Sequence, residues 1–381
     1  MKAGWQTKPF EGCIEKVSYT SKIQRKDFLD AGAYPIISQE DASINGYWDT
    51  EADLFHVTIP IVVFGDHTKV LKYVDTDFVL GADGVKVLQP LDFLLPKFFF
   101  YQLRAAILDS LGYARHYKLL KELEIAYPGR SEQQRIVGIL DEAFDGIAAA
   151  KANAEKNLQN ARALFESHLQ SVFTQRGEEW IEKPLSELCD IKHGFAFKSE
   201  FFTSEGDYVL LTPGNFFESG GYRDRGEKQK YYTGEIPRDY VLNEGNLLVA
   251  MTEQAEGLLG SPTLVPESNK FLHNQRLGLV TKKSSVPWTN EFFFHVFNTQ
   301  AVRKEIHDSA SGVKVRHTSP TKIGDVVVSF PTSISEQRAI VSTLKDLRKE
   351  TQRLKSIYQR KLAALEALKK SLLHQAFSGQ L

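Results

Sequence analysis

The sequence predicts an α+β protein built as a tandem duplication, in which two globular domains alternate with two long helices. The chain has 381 residues, enough for two domains that each bury a core of their own. Two long segments, 131–175 and 335–377, contain no proline and, between them, only two glycines. The residues that begin the first segment recur at the start of the second, and an internal repeat of this kind determines the architecture.

The repeat is clearest where the two long segments begin. Residues 131–137 (SEQQRIV) match residues 335–341 (SEQRAIV), and the same offset of 204, from 131 to 335, carries Leu140 onto Leu344. Weaker matches occur before the segments. They pair Trp5 with Trp180, residues 98–100 with 292–294, and residues 112–116 with 312–317.

This repeat divides the chain into four parts. We predict a first domain at 1–127, a first helix segment at 128–177, a second domain at 178–330 and a second helix segment at 331–381. Proline stands shortly before each helix, and two serines lie three residues before Gln or Glu, the spacing of a capping box. These pairs are Ser131 with Gln134 and Ser333 with Glu336.

Apolar residues follow one narrow stripe along each long helix, in alternating steps of four and three, as in paired helices. Each helix would be about 65 Å long at 1.5 Å per residue, too long for one small domain. The simplest arrangement pairs the two helices antiparallel. The residues predicted to form the pairing are Ile136, Leu140, Ile147, Ile340, Leu344 and Leu354, and Leu362, Leu365, Leu368 and Leu372 continue the second stripe.

The two globular domains mix short strands with helices. Apolar runs bounded by Gly, Asp and Pro predict strands, and longer runs predict helices. The strands are expected at 34–38, 59–64 and 84–88 in the first domain and at 208–212, 247–251 and 277–281 in the second, with helices at 96–108 and 290–306. The triple phenylalanines at 98–100 and 292–294 are expected to face the cores.

Composition is typical of a soluble globular protein, with 42% hydrophobic and 25% charged residues. The only cysteines, Cys13 and Cys189, are far apart, so we expect neither a disulfide framework nor structural zinc, and a cytoplasmic location. Residues 1–10 are polar and do not resemble a signal peptide. The apolar runs are too short to span a membrane.

The charge of the chain is unevenly distributed. The net charge is −1, which is low for a nucleic-acid binder, because phosphate contacts need Lys and Arg. Residues 1–127 have 14 basic and 17 acidic side chains, for a net charge of −3, and residues 178–330 have 17 and 21, for −4. Residues 331–381 have 10 and 4, for +6. A chain that binds DNA with this distribution would need local basic patches or positively charged partners.

Sequence motifs do not predict a catalytic site. The chain has no Pro-Pro dipeptide, which the Asn/Asp-Pro-Pro-aromatic motif of an adenine methyltransferase requires, and no Gly-Lys dipeptide, which a phosphate-binding loop requires. Asp66 and His67 could form an acid–base or metal pair, but no other ligand lies nearby in the sequence. We therefore expect no catalytic residue and no metal site.

Several polar loops carry side chains suited to nucleic acids. Arg, Asn and Gln pair with guanine and adenine edges, and Lys contacts phosphate. The alternative is that these are ordinary polar surface loops. The predicted DNA-binding residues are His67, Thr68 and Lys69; Arg115, His116 and Tyr117; Lys314, Arg316 and His317; His193; and Gln275 and Arg276.

Taken together, these features resemble the specificity subunits of type I restriction-modification systems. In that family, two variable domains are each followed by a long helix that begins with proline, Glu-Gln and a nearby isoleucine. Here these helix starts are Pro128, Glu132, Gln133 and Ile136, and Pro331, Glu336, Gln337 and Ile340. Residues 34–39 (YPIISQ), 45–47 (NGY), 64–68 (FGDHT) and 81–88 (GADGVKVL) also resemble one class of target-recognition domain.

The resemblance implies that each domain recognises one half of a split site in double-stranded DNA. It implies that the long helices, with Glu132, Gln133, Glu336 and Gln337 among their residues, set the spacing and dock two N6-adenine methyltransferase subunits. ATP-dependent translocase-nuclease subunits would join this core. S-adenosylmethionine, ATP and Mg would be bound by those partners, with no cofactor on this chain.

Two other classes of function remain as alternatives. A coiled-coil adaptor that bridges proteins without contacting DNA would fit the acidic domains. A self-contained methyltransferase-nuclease is disfavoured by the missing motifs.

Overall fold

The structure is a computed structural model that describes residues 4–106, 108–109, 112, 114–253, 257–313 and 315–381. The chain divides into two compact units. Unit 1 comprises the chain up to Asn157 together with Tyr358–Leu381, and unit 2 comprises Leu158–Ile357. The predicted first domain lies within unit 1 and the predicted second domain within unit 2.

Unit 1 contains most of its strands in two small sheets. Antiparallel β2-β10-β7-β8 form the first sheet, β3-β9-β4-β5 form the second, with β6 also on β9, and β1 pairs with β11. The elements are β1 (Gln6–Pro9), β2 (Ile14–Glu15), β3 (Lys22–Ile23), β4 (Tyr34–Ile37), β5 (Gly46–Trp48), β6 (Leu54–Phe55), β7 (Ile61–Gly65), β8 (Leu71–Val74), β9 (Phe78–Gly81), β10 (Val85–Pro90), α1 (Pro96–Ala105), α2 (Tyr117–Lys121) and β11 (Glu124–Tyr127), followed by the long helix α3 (Arg130–Thr174).

Unit 2 also contains two small sheets, together with short helices. Its sheets are β13-β21-β17-β19 and β14-β16-β15-β20, and two further pairs, β12-β23 and β18-β22, complete it. The elements are β12 (Trp180–Pro184), α4 (Leu185–Leu188), β13 (Cys189–His193), β14 (Phe202–Thr203), β15 (Val209–Leu210), β16 (Tyr231–Tyr232), β17 (Leu247–Ala250), β18 (Thr252–Glu253), β19 (Pro262–Leu264), β20 (Phe271–Leu272), β21 (Leu277–Lys282), α5 (Asn290–Phe297), α6 (Gln300–Asp308), β22 (Arg316–His317), α7 (Pro320–Gly324) and β23 (Val327–Pro331), followed by α8 (Ile334–Ser378).

The α+β architecture with long helices is confirmed, and the strand pairing supports the duplication. Strand β10 lies between β2 and β7 with antiparallel register, as β21 lies between β13 and β17. The strand before each long helix pairs with the first strand of its domain, β11 with β1 and β23 with β12. The second sheet of each unit contains parallel pairing: β9 runs parallel to both β3 and β4, and β15 runs parallel to β20.

The triple phenylalanines lie in the cores, as predicted. Phe98 and Phe99 are fully buried in unit 1, and Phe292 and Phe293 are fully buried in unit 2. Each set lies on the helix that packs against the first sheet of its unit, so a periodic apolar helix face covers the sheet. Burying a phenylalanine side chain contributes about 1.5–3 kcal/mol, which makes these residues the main anchors of their cores.

The long helices run antiparallel within each unit. In unit 1, the Lys151 ammonium lies 2.8 Å from the Glu366 carboxylate, and Lys369 lies over the Phe144 ring, so sequence numbers rise along one helix as they fall along the other. In unit 2, Phe165 and Leu169 pack against Leu344. Small residues on the stripe, among them Ala154 and Ala161, are buried.

The helix starts differ from the prediction at one of the two sites. Helix α8 begins after Ser333, whose hydroxyl accepts the Glu336 N–H at 3.3 Å, so the predicted cap is present. Helix α3 begins earlier than expected, and Gly129 O accepts the N–H of Gln133, so the predicted Ser131 cap is wrong. Ser131 lies inside the first turn, where its hydroxyl is past the capping position.

Two other sequence predictions are corrected. The predicted helix 290–306 is two helices, because the chain breaks at Asn298 and the Thr299 hydroxyl caps the second helix by accepting the Val302 N–H. Leu368, expected on the stripe, is 47% exposed, and the aliphatic stem of Lys369 takes the half-buried position. Among the helices that the structure describes, none is both long and apolar enough to cross a membrane.

Candidate nucleic-acid interface

Three loops of the first domain meet at one end of the sheet β2-β10-β7-β8. Strand β7 ends just before Asp66, whose N–H donates to Gly84 O at 2.7 Å, and the His116 N–H donates to Asp66 O at 2.7 Å. These bonds join residues 65–69, 82–84 and 115–117, which we call loop cluster 1. Backbone bonds between loops fix their relative positions, so side chains far apart in sequence are presented on one surface.

Three loops of the second domain are joined by the equivalent two bonds. The Met251 N–H donates to Arg276 O at 3.0 Å, and the Thr318 N–H donates to Met251 O at 2.9 Å. Residues 251–253, 274–276 and 316–318 form loop cluster 2. The register pairs His116 with Thr318, so Arg115 corresponds to His317 rather than to Arg316.

In loop cluster 1, the turn after β7 is fixed by Gln39. The Thr68 hydroxyl donates to Gln39 O at 2.5 Å, and the His67 N–H donates to the Gln39 side-chain oxygen at 3.1 Å. Lys69 takes a left-handed conformation, φ 60°, and its ammonium donates to Leu108 O at 3.3 Å. Thr68 is exposed, whereas His67 and Lys69 are half-buried. Of the three predicted side chains, Thr68 is the most accessible.

Asp66 and His116 are structural residues. Asp66 is 2% exposed, and its carboxylate accepts the N–H of Tyr117 at 2.7 Å, the first residue of α2. His116 is 1% exposed, and its Nδ1 lies 3.0 Å from Asp66 O. The prediction that His116 contacts DNA is wrong for this conformation, because the ring lies inside the loop cluster. Arg115, the preceding residue, is exposed.

Three lysines and Tyr19, none of them predicted from sequence, form a patch with the predicted Tyr117 beside loop cluster 1. Lys22 Nζ lies 4.6 Å from the Tyr19 ring centroid, and Lys86 and Lys121 lie 5.2 and 5.7 Å from the Tyr117 ring. Burial, followed by the nearby Lys86, lowers the pKa of Lys22. Lysines held over aromatic rings form a favourable surface for phosphate and bases. These residues are spread from position 19 to position 121, so no local sequence pattern marks the patch.

In loop cluster 2, two segments approach closely enough to require a glycine. The Gly194 N–H donates to Leu277 O at 3.3 Å, and a Cβ at Gly194 would overlap the backbone carbonyl of Asn274. This approach brings His193, at the end of β13, beside Gln275 and Arg276. All three predicted side chains are exposed, so the structure brings them together on one surface.

Aromatic residues and a lysine extend this surface. Lys192 Nζ lies 4.5 Å from the Tyr240 ring centroid, and the Tyr240 and Phe195 rings are 5.3 Å apart. Phe195 is 36% exposed. His273 lies beneath them, fully buried, and burial is the main cause that lowers its pKa to about 4. His273 is therefore neutral and supports the surface from below.

Arg316 is half-buried, and its guanidinium is bound to His307 of α6. Its Nη2 donates to His307 O at 2.6 Å, and its Nη1 lies 2.7 Å from the His307 Nε2. The same imidazole lies 3.6 Å from the carboxylate of Glu253, which is 5% exposed. The prediction that Arg316 contacts bases is contradicted by these bonds. His317, the next residue, is exposed, and Lys314 lies outside the described residues.

Within the described residues, no arrangement suggests catalysis. No group of three or more His, Cys, Asp or Glu among them could hold a metal ion. Asp66, the suggested partner of His67, is occupied by backbone groups. Burial raises the pKa of Cys13 to about 11 and that of Cys189 to about 12, so neither thiol is poised as a nucleophile.

The residues predicted for helix pairing and partner docking fall into two groups. Gln133 and Gln337 are fully buried within their own units and make hydrogen bonds there, so docking by their side chains is contradicted. Glu132 binds Arg135, and Glu336 accepts from the Trp180 indole N–H at 2.9 Å. The apolar members are Ile136 and Leu140, buried in the core of unit 1; Ile147, buried; Ile340 and Leu344, which pack against α3 within unit 2; and Leu354, half-buried.

The chain matches known proteins across this region. Residues 177–362 match the family model of the type I restriction modification DNA specificity domain. The chain is 24% identical over 223 residues to the type I restriction enzyme EcoBI specificity subunit of Escherichia coli, an alignment that spans 58% of this chain and 43% of that protein. The chain thus spans less than half the length of that relative.

Two solved structures have the same fold over the whole chain. A chain from a type I R-M system, solved in work on its complex assembly and conformational transition, has a TM-score of 0.74 at 16% identity, with 100% of this chain and 99% of that chain covered. The HsdS subunit from Thermoanaerobacter tengcongensis has a TM-score of 0.60 at 16% identity, with 100% and 98% covered.

Proposed function

We propose that the chain is a specificity subunit of a type I restriction-modification system and acts as the DNA-recognition subunit of such a complex, as its similarity to the DNA specificity domain and to the EcoBI specificity subunit suggests. Each globular domain recognises one half of a bipartite, asymmetric site in double-stranded DNA. The chain itself is not an enzyme. It selects the DNA sequence on which partner subunits act.

The observation that carries this proposal is the pair of equivalent loop clusters. Both are held by the same two backbone hydrogen bonds, at Asp66 and at Met251, but they expose different side chains. Loop cluster 1 presents Thr68 and Arg115, and loop cluster 2 presents His317 and Arg276. A common frame with different exposed side chains is what recognition of two unlike half-sites requires, since bases are distinguished by side-chain contacts to their edges.

The partners follow from this role. Two N6-adenine methyltransferase subunits would dock on the exposed faces of the long helices, and ATP-dependent translocase-nuclease subunits would join that core in the cytoplasm. S-adenosylmethionine, ATP and Mg would be bound by those subunits. The net charge of +6 at 331–381 contrasts with −3 and −4 in the domains. DNA affinity would therefore come largely from the assembled complex rather than from the isolated chain.

The experiment is a DNA-binding titration with the purified chain, alone and with the methyltransferase subunits, at physiological salt. We expect weak, non-specific binding by the chain alone and tight, sequence-specific binding by the complex. Tight specific binding by the chain alone would contradict the proposed dependence on partners. A complex that assembles without any sequence preference would favour the alternative function, a coiled-coil adaptor without DNA contact.

A further inference from the structure

Beside loop cluster 2, the β-bridge between Ser311 and His317 carries two exposed valines, Val313 and Val315, and we call the described residues 311–313 and 315–317 the finger. Ser311 and His317 form its stem through two reciprocal backbone hydrogen bonds of 2.9 Å, and His317 also pairs with Thr252 in the β18–β22 ladder. At the tip, Val313 is 99% exposed and Val315 is 43% exposed. Single exposed apolar side chains are common on protein surfaces, so the exposure of Val313 needs a second observation before it indicates a contact.

That second observation is the bracing of the finger. On one side of the stem, the Lys322 ammonium donates to the Ser311 hydroxyl at 2.7 Å. On the other side, Arg316 is bound to the His307 carbonyl at 2.6 Å. Gly312 has φ 96°, and a Cβ there would overlap the Val315 carbonyl, so the turn requires glycine. The finger is held on both sides of its stem, yet the side chain of Val313 is 99% exposed.

The surroundings of the finger identify what the tip can contact. Its stem continues directly into Thr318, which is bonded to Met251 and through it to Arg276 in loop cluster 2. His317 and Arg276 are exposed polar side chains suited to base edges and phosphate. In the major groove, the one apolar feature of a base edge is the 5-methyl group of thymine, which apolar side chains contact.

We propose that Val313 is a specificity-determining residue that contacts a thymine methyl group in the half-site of the second domain. Arg316 is a positioning residue, which holds the finger against α6 rather than contacting a base itself. This inference rests on the proposed function and deepens it, because it assigns one base preference to one side chain of loop cluster 2.

The test uses the full chain in complex with its methyltransferase subunits. The DNA is a set of synthetic duplexes that contain the sequence that the complex recognises. Replacing each half-site thymine in turn by uracil removes only the methyl group. For the wild-type complex, we expect one such replacement in the half-site of the second domain to weaken binding about fourfold, the effect of losing one buried methyl or methylene group. In the Val313→Ser complex, the same replacement should have no effect.

Two control variants complete the test. Val327→Ser changes a valine that is 52% exposed on β23, away from loop cluster 2, and should keep the full uracil effect. Arg316→Met should lose the uracil effect while keeping recognition of the half-site of the first domain, a result that general unfolding of the chain would not give. Val313 itself is 99% exposed, so its variant should fold.

Several outcomes would overturn the inference. They are a half-site without an A·T pair, a wild-type complex that tolerates every uracil, or a Val313→Ser complex with an unchanged uracil effect. In each case, sequence-specific binding by the wild-type complex would leave the proposed function standing. Loss of all sequence preference in the wild-type complex would instead remove the proposed function.

Discussion

Gln133 and Gln337 occupy equivalent positions at the start of the two long helices and make equivalent hydrogen bonds. Gln133 accepts the Leu95 N–H at 2.8 Å and donates to two carbonyls, and Gln337 does the same with Thr289 as its donor. Leu95 and Thr289 are the residues before α1 and α5. Each glutamine therefore joins the start of a long helix to the start of the helix that covers the sheet.

Replacing either glutamine by alanine should destabilise its own unit. The change leaves a buried N–H and buried carbonyls without partners, at about 1–3 kcal/mol for each unsatisfied group. We expect a loss of about 2–4 kcal/mol in the free energy of unfolding for Gln133→Ala and for Gln337→Ala, measured by urea denaturation. The neighbouring Gln134 is exposed, and Gln134→Ala should change stability by less than about 0.5 kcal/mol. Equal effects of Gln133→Ala and Gln134→Ala would show that the buried bonds are not important.

The stability of unit 2 should fall at acidic pH because of His295. Burial, followed by the charge of Arg348, lowers its pKa to about 3. Since the folded-state pKa lies below the ordinary value of 6.5, the neutral ring stabilises the fold above pH 6.5, and this stability is lost as the pH falls toward 3. The loss is up to about 1.4 kcal/mol per pH unit.

The measurement is urea denaturation at pH 7 and pH 5. His295→Leu removes the titrating ring and should reduce the difference in unfolding free energy between the two pH values. Buried His273, whose pKa is also lowered, should retain part of the difference. His374→Leu is the control, because His374 is exposed on α8. A pH dependence that is the same in His295→Leu and in the wild type would contradict the assignment.

Gly194→Ala should disturb loop cluster 2 and lower the stability of unit 2. The added methyl group would overlap the Asn274 backbone, which is held by its bridge to Phe195 and by the Leu277 N–H that its carbonyl accepts. Overpacking of this kind costs about 1–3 kcal/mol. Gly138→Ala is the matched control, because nothing lies near its Cβ position on α3 and alanine favours helix. We expect the melting temperature to fall for Gly194→Ala and to rise slightly for Gly138→Ala; similar effects of both would contradict the close approach.

Changing the length of the long helices should change the spacing between the half-sites. Four inserted residues add about 6 Å at 1.5 Å per residue and leave the apolar stripe nearly in phase. We predict that four helix-forming residues after Ala152 and four after Ser356 lengthen the unread spacer by one or two base pairs. Two-residue insertions rotate the stripe by about 200° and should abolish activity. An active four-residue variant with an unchanged spacer would show that the helices dock partners without setting a distance.

Much of the fold could be predicted from sequence because its signals are local or periodic. The stripe along α3 and α8, the proline before each helix and the triple phenylalanines each lie within a few residues. The break at Asn298 was missed because residues on both sides continue a helical apolar pattern, and only the Thr299 cap marks the second start. We predicted Leu368 on the apolar stripe because it is the more hydrophobic residue. The position is taken by Lys369, whose aliphatic stem can be buried while its ammonium stays in water.

The candidate site was less predictable because its residues are joined through space. The register of β7 with β10 and of β17 with β21 decides which loops meet, and Arg115 is equivalent to His317, one residue after Arg316. Burial of His116 depends on Asp66, a residue 50 positions away. Exposed His193, Gln275 and Arg276 were identified from residue type alone, and the Gly194 approach explains why they lie together.

The methylation pattern that this chain directs, when it is expressed with its methyltransferase subunits, tests its proposed role in DNA recognition. We predict a bipartite, asymmetric motif, with two specific half-sites separated by an unread spacer. We also predict that Arg115→Ala relaxes the sequence preference of one half-site and that His317→Ala relaxes that of the other. Each change should remove about 1–3 kcal/mol of discrimination between bases, the contribution of one base contact. Sequencing of methylated bases across the genome measures all three. A single uninterrupted motif, or both variants altering the same half-site, would contradict the account.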